Sequence, residues 1–270
     1  MLTADQPTAL DSHTLVHVSP GYLAGPRDPG EATLVAWPFL ATGDWIRHCP
    51  PRGYILTSSP CQRIRAGFLP DGTGRGMWRT AAYDDPFAAS YWTAVLDYGI
   101  PEEILGAFHQ VLANSYNDGD SFLSGDTSTA PGYLPLLNSG WNHDVSTSGK
   151  QTFTAPDHIA QLTHSCGASP SPDYFSWRIN SGRHDGHWEA AFTCRTPPRL
   201  IGAFTAAMVS SEPLTRTIGQ LPPAHLPYVT LAPIATDTDH ASARRGRSTR
   251  TASCLPALPV PTVTPPHRHR

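Results

Sequence analysis

The densest run of groups able to hold a metal or move a proton is Gly182-Arg183-His184-Asp185-Gly186-His187-Trp188-Glu189. Asp-Gly favours a two-residue hairpin turn, which would set His184 and His187 opposite each other. Glu189 would then share a strand face with His187. Two imidazoles and a carboxylate are a donor set for a divalent cation. His184, His187 and Glu189 are therefore the metal candidates, and a metal-dependent enzyme ranks third among the functions considered. A solvated hairpin tip accounts for the same residues without a ligand.

A second constellation is built on arginine. Arg63 and Arg65 are two apart and on a strand project from one face, and Trp78-Arg79 and Trp177-Arg178 repeat one dipeptide. An arginine-bearing sheet face with aromatics is one way to bind single-stranded nucleic acid. Arg63, Arg65, Trp78, Arg79, Trp177 and Arg178 are thus the binding candidates. The competing expectation has the tryptophans in the core and the arginines as polar alternates.

Other motifs fall short of chemistry. Gly72-Thr73-Gly74-Arg75-Gly76 lacks the strand–loop–helix order of a phosphate loop, and Ser148-Gly149-Lys150 lacks its upstream glycine. Asn117-Asp118-Gly119-Asp120 lacks the rest of a calcium loop. No Gly-x-Ser-x-Gly, His-Glu-x-x-His or Cys-x-x-Cys occurs. No catalytic residue is nominated and no cofactor is expected.

The elements that would carry these residues are written twice. YWTAVLDYGIPEEILGAF (91–108) is echoed by HWEAAFTCRTPPRLIGAF (187–204), with Trp92/Trp188, Pro101/Pro197 and Phe108/Phe204 aligned. Tyr22-Leu23-Ala24-Gly25 likewise matches Phe122-Leu123-Ser124-Gly125. Short strands are expected over 53–58, 63–69, 76–82 and 91–98, and again over 151–154, 159–164, 174–180 and 187–194. A helix capped by Gly43 or Gly140 precedes them. Each copy closes in a helix whose first position is Pro101 or Pro197, with Thr196 as an N-cap. Ile104, Leu105, Phe108, Val111 and Leu112 make one apolar stripe of the first closing helix. The fold class is α+β: two tandem repeats, each a roughly four-stranded antiparallel sheet closed by a C-terminal helix, related by a pseudo-twofold. The Gly-Ala pair before each phenylalanine is expected to bring the helix close to its sheet. The expected divisions are a flexible N-terminus (1–17), first repeat (18–115), linker (116–121), second repeat (122–211) and a disordered Pro/Arg-rich tail (212–270).

Bulk properties agree with a modest globular body. The 270 residues carry a formal charge of −3, with 18 arginines and one lysine, and 28 prolines favour short elements. Residues 212–270 hold 7 arginines against 3 acids, so the basic charge lies in the tail and gives the body no attraction for polyanions. Five cysteines without paired spacing imply reduced, buried thiols. Neither a signal peptide nor a membrane span is legible, which places the protein in the cytoplasm.

Ser19-Pro20-Gly21-Tyr22-Leu23-Ala24-Gly25-Pro26-Arg27-Asp28-Pro29 resembles the opening of actinobacterial proteins carrying the SPDY domain of unknown function. Ser59-Pro60-Cys61-Gln62-Arg63-Ile64-Arg65, Trp78-Arg79, Asp85-Pro86-Phe87 and the Trp188–Phe204 ending are similar to further stretches of that family. The resemblance implies tandem copies and no assigned activity. The function expected is a non-catalytic scaffold recognising an unknown protein or nucleic acid. Direct nucleic-acid binding by the Arg/Trp face is the alternative.

Overall fold

A computed structural model describes residues 11–27, 29–42, 44–50, 54–72, 76–123, 128–165 and 174–234. In chain order the elements are β1 (Leu15–Ser19), α1 (Pro29–Ala36), β2 (Ile46–His48), β3 (Ile55–Ser58), β4 (Ile64–Pro70), β5 (Gly76–Ala82) and β6 (Trp92–Asp97), then α2 (Glu102–Asn117). There follow α3 (Leu134–Asn138), β7 (Asn142–Val145), β8 (Lys150–Thr154), β9 (Ala160–Ser165), β10 (Phe175–Ser181) and β11 (Trp188–Thr193). The chain continues through α4 (Pro198–Met208), β12 (Leu214–Thr217) and β13 (Thr230–Pro233). Pro38 ends the first helix as its missing N–H requires, and a 3-10 segment, Pro38–Thr42, follows. Gly43 lies outside the described residues.

Instead of two four-stranded sheets there is one ten-stranded antiparallel sheet, ordered β2-β3-β4-β5-β6-β11-β10-β9-β8-β7. Each copy supplies five strands, and the copies join edge to edge through β6 and β11. β2 and β7 escaped the sequence reading because they are short and fully exposed, with no apolar alternation to mark them. Joining the sheets removes two bare edges that separate units would have to protect.

The seam is short and reciprocal. Ala94, Val95 and Leu96 pair with Phe192, Ala191 and Ala190. Beyond one end of this ladder Thr93 N–H donates to Thr193 Oγ1 (2.9 Å), and beyond the other Glu189 N–H donates to Asp97 Oδ2 (2.8 Å). In the repeat Thr93 corresponds to Glu189 and Asp97 to Thr193. The pseudo-twofold therefore passes through the Val95–Ala191 pair.

Alternation along the strands puts one face in the core. Phe68, Trp78, Leu96, Ala190, Ile179, Leu162 and Phe153 are mutually paired across seven strands and all buried. α2 and α4 cover this face, and Phe108 (5.7 Å) and Phe204 (5.6 Å) both meet Phe192. One hydrophobic cluster runs through both copies. The glycines repeated in both copies act differently from expectation. A Cβ on Gly106 would lie 2.5 Å from the Val35 carbonyl oxygen, and one on Gly202 2.4 Å from that of Pro131. They admit the backbone preceding each copy's first strand, not the sheet. Pro101 and Pro197 occupy the N-cap rather than the first helical position, which displaces Thr196 from that role.

The copies are also interlocked. Trp92 Nε1 donates to Phe122 O (2.9 Å), and Trp188 Nε1 donates to Tyr22 O (3.1 Å). Phe122 and Tyr22 open the second and first copies, so each indole is satisfied by the other half. Both tryptophans are fully buried.

The expected terminal divisions need correction. β1 lies between β12 and β13 in a three-stranded antiparallel sheet, so residues 15–17 and 214–233 are part of the body. The apolar positions Val16, Val18, Leu221 and Leu231 that form its core are too sparse to show a period. Residues 235–270, including the Ala243–Arg250 arginine cluster, lie outside the described residues. Residues 116 and 117 belong to α2 rather than to a linker.

Candidate recognition face

The other face of the ten-stranded sheet is where polar alternates collect. Pairing by register gives one continuous row across it: His48, Leu56, Gly67, Arg79, Val95, Ala191, Arg178, Thr163, Thr152, Asp144. The row is symmetric about the Val95–Ala191 pair. Its equivalent positions are His48/Asp144, Leu56/Thr152, Gly67/Thr163, Arg79/Arg178 and Val95/Ala191. Arginine is the residue common to both halves. With neighbouring strands ~4.8 Å apart, three spacings put the two arginine backbones about 14 Å apart.

The two arginines live in different surroundings. Arg178 forms an ion pair with Glu189 and lies over the Phe175 ring at 5.9 Å. Arg79 is exposed and lines a hollow of about 440 Å³ over β3, β4 and β5. Arg65 stands diagonally from it, opposite Ala81 in the register. Its guanidinium donates to Pro86 O (2.8 Å) and lies 4.6 Å from the Tyr83 ring centroid. Gly67 lies between the two arginines, and a Cβ there would come within 2.7 Å of Leu56 Cδ2. Around Arg178 a second hollow, of about 400 Å³, is lined by Lys150, Thr163, Ser165 and Tyr174.

The binding candidates separate cleanly. Arg65, Arg79 and Arg178 share the open face. Trp78 and Trp177 are 2% and 1% exposed and point into the core, so they do not interleave with the arginines. Trp78 packs against Trp37 at 5.3 Å, and Trp177 stacks on His164 at 3.8 Å. Arg63 is half-buried, donating to Tyr83 O (3.2 Å) and facing Asp84 at 3.7 Å.

The metal candidates do not converge. His184–Gly186 is a 3-10 turn within the longer connection from Ser181 of β10 to Trp188 of β11, not a two-residue hairpin turn, and Gly182 takes φ +90° there. A Cβ on Gly186 would lie 2.3 Å from His225 Nε2, so this turn is seated on His225. Glu189 is engaged by Arg178. Among the described residues no group of three or more His, Cys, Asp or Glu side chains is placed to hold a metal ion. Cys49, Cys61 and Cys194 are free but exposed, contrary to the expected burial, because they flank strands at turns; Cys166 and Cys254 lie outside the described residues.

Several buried polar residues were not legible beforehand. Arg216 is fully buried and binds Glu102 (3.1 Å), Glu103 (2.8 Å) and Gly25 O (3.1 Å), tying β12 to the start of α2. Burial pushes the Glu102 carboxyl up against the pull of Arg216. At Glu103 burial is outweighed by Arg216 and Arg27, which hold the carboxyl below its usual range. His109 is fully buried with Nε2 2.8 Å from Thr80 Oγ1, and desolvation pushes its pKa down to about 4. Desolvation takes His164 to about 4 as well. A repeat alignment would have flagged His109 and His164, since they stand where the other copy has Thr205 and Phe68.

Fold and face together define an internally duplicated α+β protein with one sheet face open. The family model of SPDY, a domain of unknown function (DUF317), matches residues 58–117 and 154–214. Each matched segment holds three central strands, a closing helix and the arginine of the shared row. No curated protein matches the chain, and no solved structure does. Among the described residues no helix is long and apolar enough to cross a membrane.

Proposed function

We propose that the protein is a non-catalytic recognition scaffold whose open sheet face holds a polypeptide partner across both copies. The observation that carries this is the arginine kept at Arg79 and Arg178 in a row whose other positions have all diverged. Core packing explains the retained tryptophans and glycines, but it does not explain an exposed charge. Two equivalent anchors on one rigid sheet favour bivalent engagement. The face mixes Arg65, Arg79, Arg178 and Lys150 with Asp97, Asp144 and Glu189, which suits a mixed-charge polypeptide better than a polyanion. Nucleic-acid binding loses its stacking platform once Trp78 and Trp177 face the helices.

The test is capture from the native host by the wild-type chain and by Arg79→Ala/Arg178→Ala. A partner retained by the wild type and lost at least tenfold by the double variant, at unchanged melting temperature, supports the scaffold. Equal capture by both defeats it. Fluorescence anisotropy with single-stranded DNA at two salt concentrations checks the alternative, which requires steep salt dependence.

A further inference from the structure

The hollow over Gly67 has a chemistry of its own. Its twelve lining residues include two arginines and no carboxylate. Arg65 is held in place by Pro86 O and Tyr83, whereas among the described residues no hydrogen bond or ion pair engages the Arg79 guanidinium. Two arginines lining one hollow that no carboxylate lines favour an anion, and their planar forks match a carboxylate or phosphate. The floor is apolar: Ala81 and Gly67 present almost no side chain, Leu56 leans over Gly67 with its Cδ2, and Leu69 stands beside it. Its volume of about 440 Å³ lies within the range of small-molecule sites, roughly 300–1,000 Å³. The second copy differs: Thr163 stands where Gly67 is, and Glu189 neutralises Arg178.

We infer that the copy-one hollow binds a small organic anion: one carboxylate or phosphate head on a flat apolar body, the head between Arg65 and Arg79 and the body on Gly67 and Ala81. This uses the same face as the scaffold but does not depend on a polypeptide partner.

The experiment titrates naphthalene-2-carboxylate, 2-naphthyl phosphate, neutral 2-naphthalenemethanol and inorganic phosphate into the full chain, by calorimetry and saturation-transfer NMR. The expected result is binding of one or both naphthyl anions, with little binding of the neutral compound or of inorganic phosphate. The preferred head group identifies which anion the site takes. Arg79→Ala and, separately, Gly67→Val should each weaken binding at least tenfold, and Arg178→Ala should leave it unchanged. Failure of both naphthyl anions to bind at millimolar concentration overturns the site. So does binding that survives Arg79→Ala, or inorganic phosphate binding as well as the naphthyl anions. Because Gly67→Val perturbs packing, exposed Arg79 carries the decision if the glycine variant fails to fold. If the naphthyl anions bind while partner capture ignores both arginines, the scaffold fails and the hollow stands; the reverse pattern removes only the hollow.

Discussion

The two halves of the sheet keep one skeleton and differ in how they are fastened. In the first copy the start of the closing helix α2 presents Glu102 and Glu103, which Arg216 grips from β12 and Arg27 from the preceding loop. In the second copy the corresponding place at the start of α4 is held by Arg199, which donates to Ser115 Oγ (3.2 Å) and to Ser121 O. Carboxylates gripped by arginines fasten one half, whereas an arginine donating to a hydroxyl and a carbonyl fastens the equivalent position in the other. Backbone-shaping residues must therefore be common to both copies, while polar fastenings are free to diverge.

Arg216→Met offers the largest contrast. It leaves Glu102 buried without its partner, and breaking such a pair costs about 3–5 kcal/mol. Arg199→Met removes the hydrogen bonds to Ser115 Oγ and Ser121 O, a loss of about 1–2 kcal/mol. Urea unfolding midpoints of the two variants measure the difference, and equal losses would mean that the halves are fastened alike.

Acid sharpens the comparison next. His109 has a folded pKa of about 4 against an ordinary 6.5, so between those values the unfolded chain binds more protons. Stability is then full above about pH 6.5 and falls as pH drops, by about 3 kcal/mol at pH 4 for this group. His109→Thr, which installs the second copy's residue, should flatten the slope of stability against pH between 4 and 6.5. An unchanged slope would assign the acid sensitivity elsewhere, with His164 the next residue to replace, by the Phe of the first copy.

The smallest contrast between the halves is expected at their paired tryptophans. Trp92→Phe and Trp188→Phe each strand one buried carbonyl in the opposite copy and should cost about 1–3 kcal/mol apiece. Thermal melts that show one loss much larger than the other would show that the reciprocal bonds are equivalent in geometry only.

The skeleton was legible because it is written in residues with few substitutes. Trp, Pro and Gly recur in both copies, and eight of the ten strands of the large sheet fall where alternation and turns put them. β2 and β7, at three and four exposed residues, carry no such signal. The joining of the sheets was hidden because β6 reads as an interior strand whether its neighbour is β11 or solvent. β12 and β13 were missed since proline-rich composition outweighed strands of only four residues each. At the candidate site the repeated Trp-Arg dipeptide pointed to two arginines that lie on the open face and two tryptophans that lie in the core. A dipeptide places its two side chains on opposite faces of a strand, so only one of them can be on the open side. The hollow depends on Gly67 and Ala81 coming together from neighbouring strands, which no local pattern announces.

The seam between β6 and β11 carries a last consequence. A ladder whose two ends are closed by matching contacts is the geometry of a homodimer, here fused into one polypeptide. In a true homodimer every substitution appears twice, so a cavity gained on one side is gained on both. Fusion lifts that constraint: one half can hold an uncompensated cationic recess while its twin neutralises the same arginine internally. The linker between the copies thus gives the protein what no symmetric pair of identical subunits has, licence to specialise one side at a time.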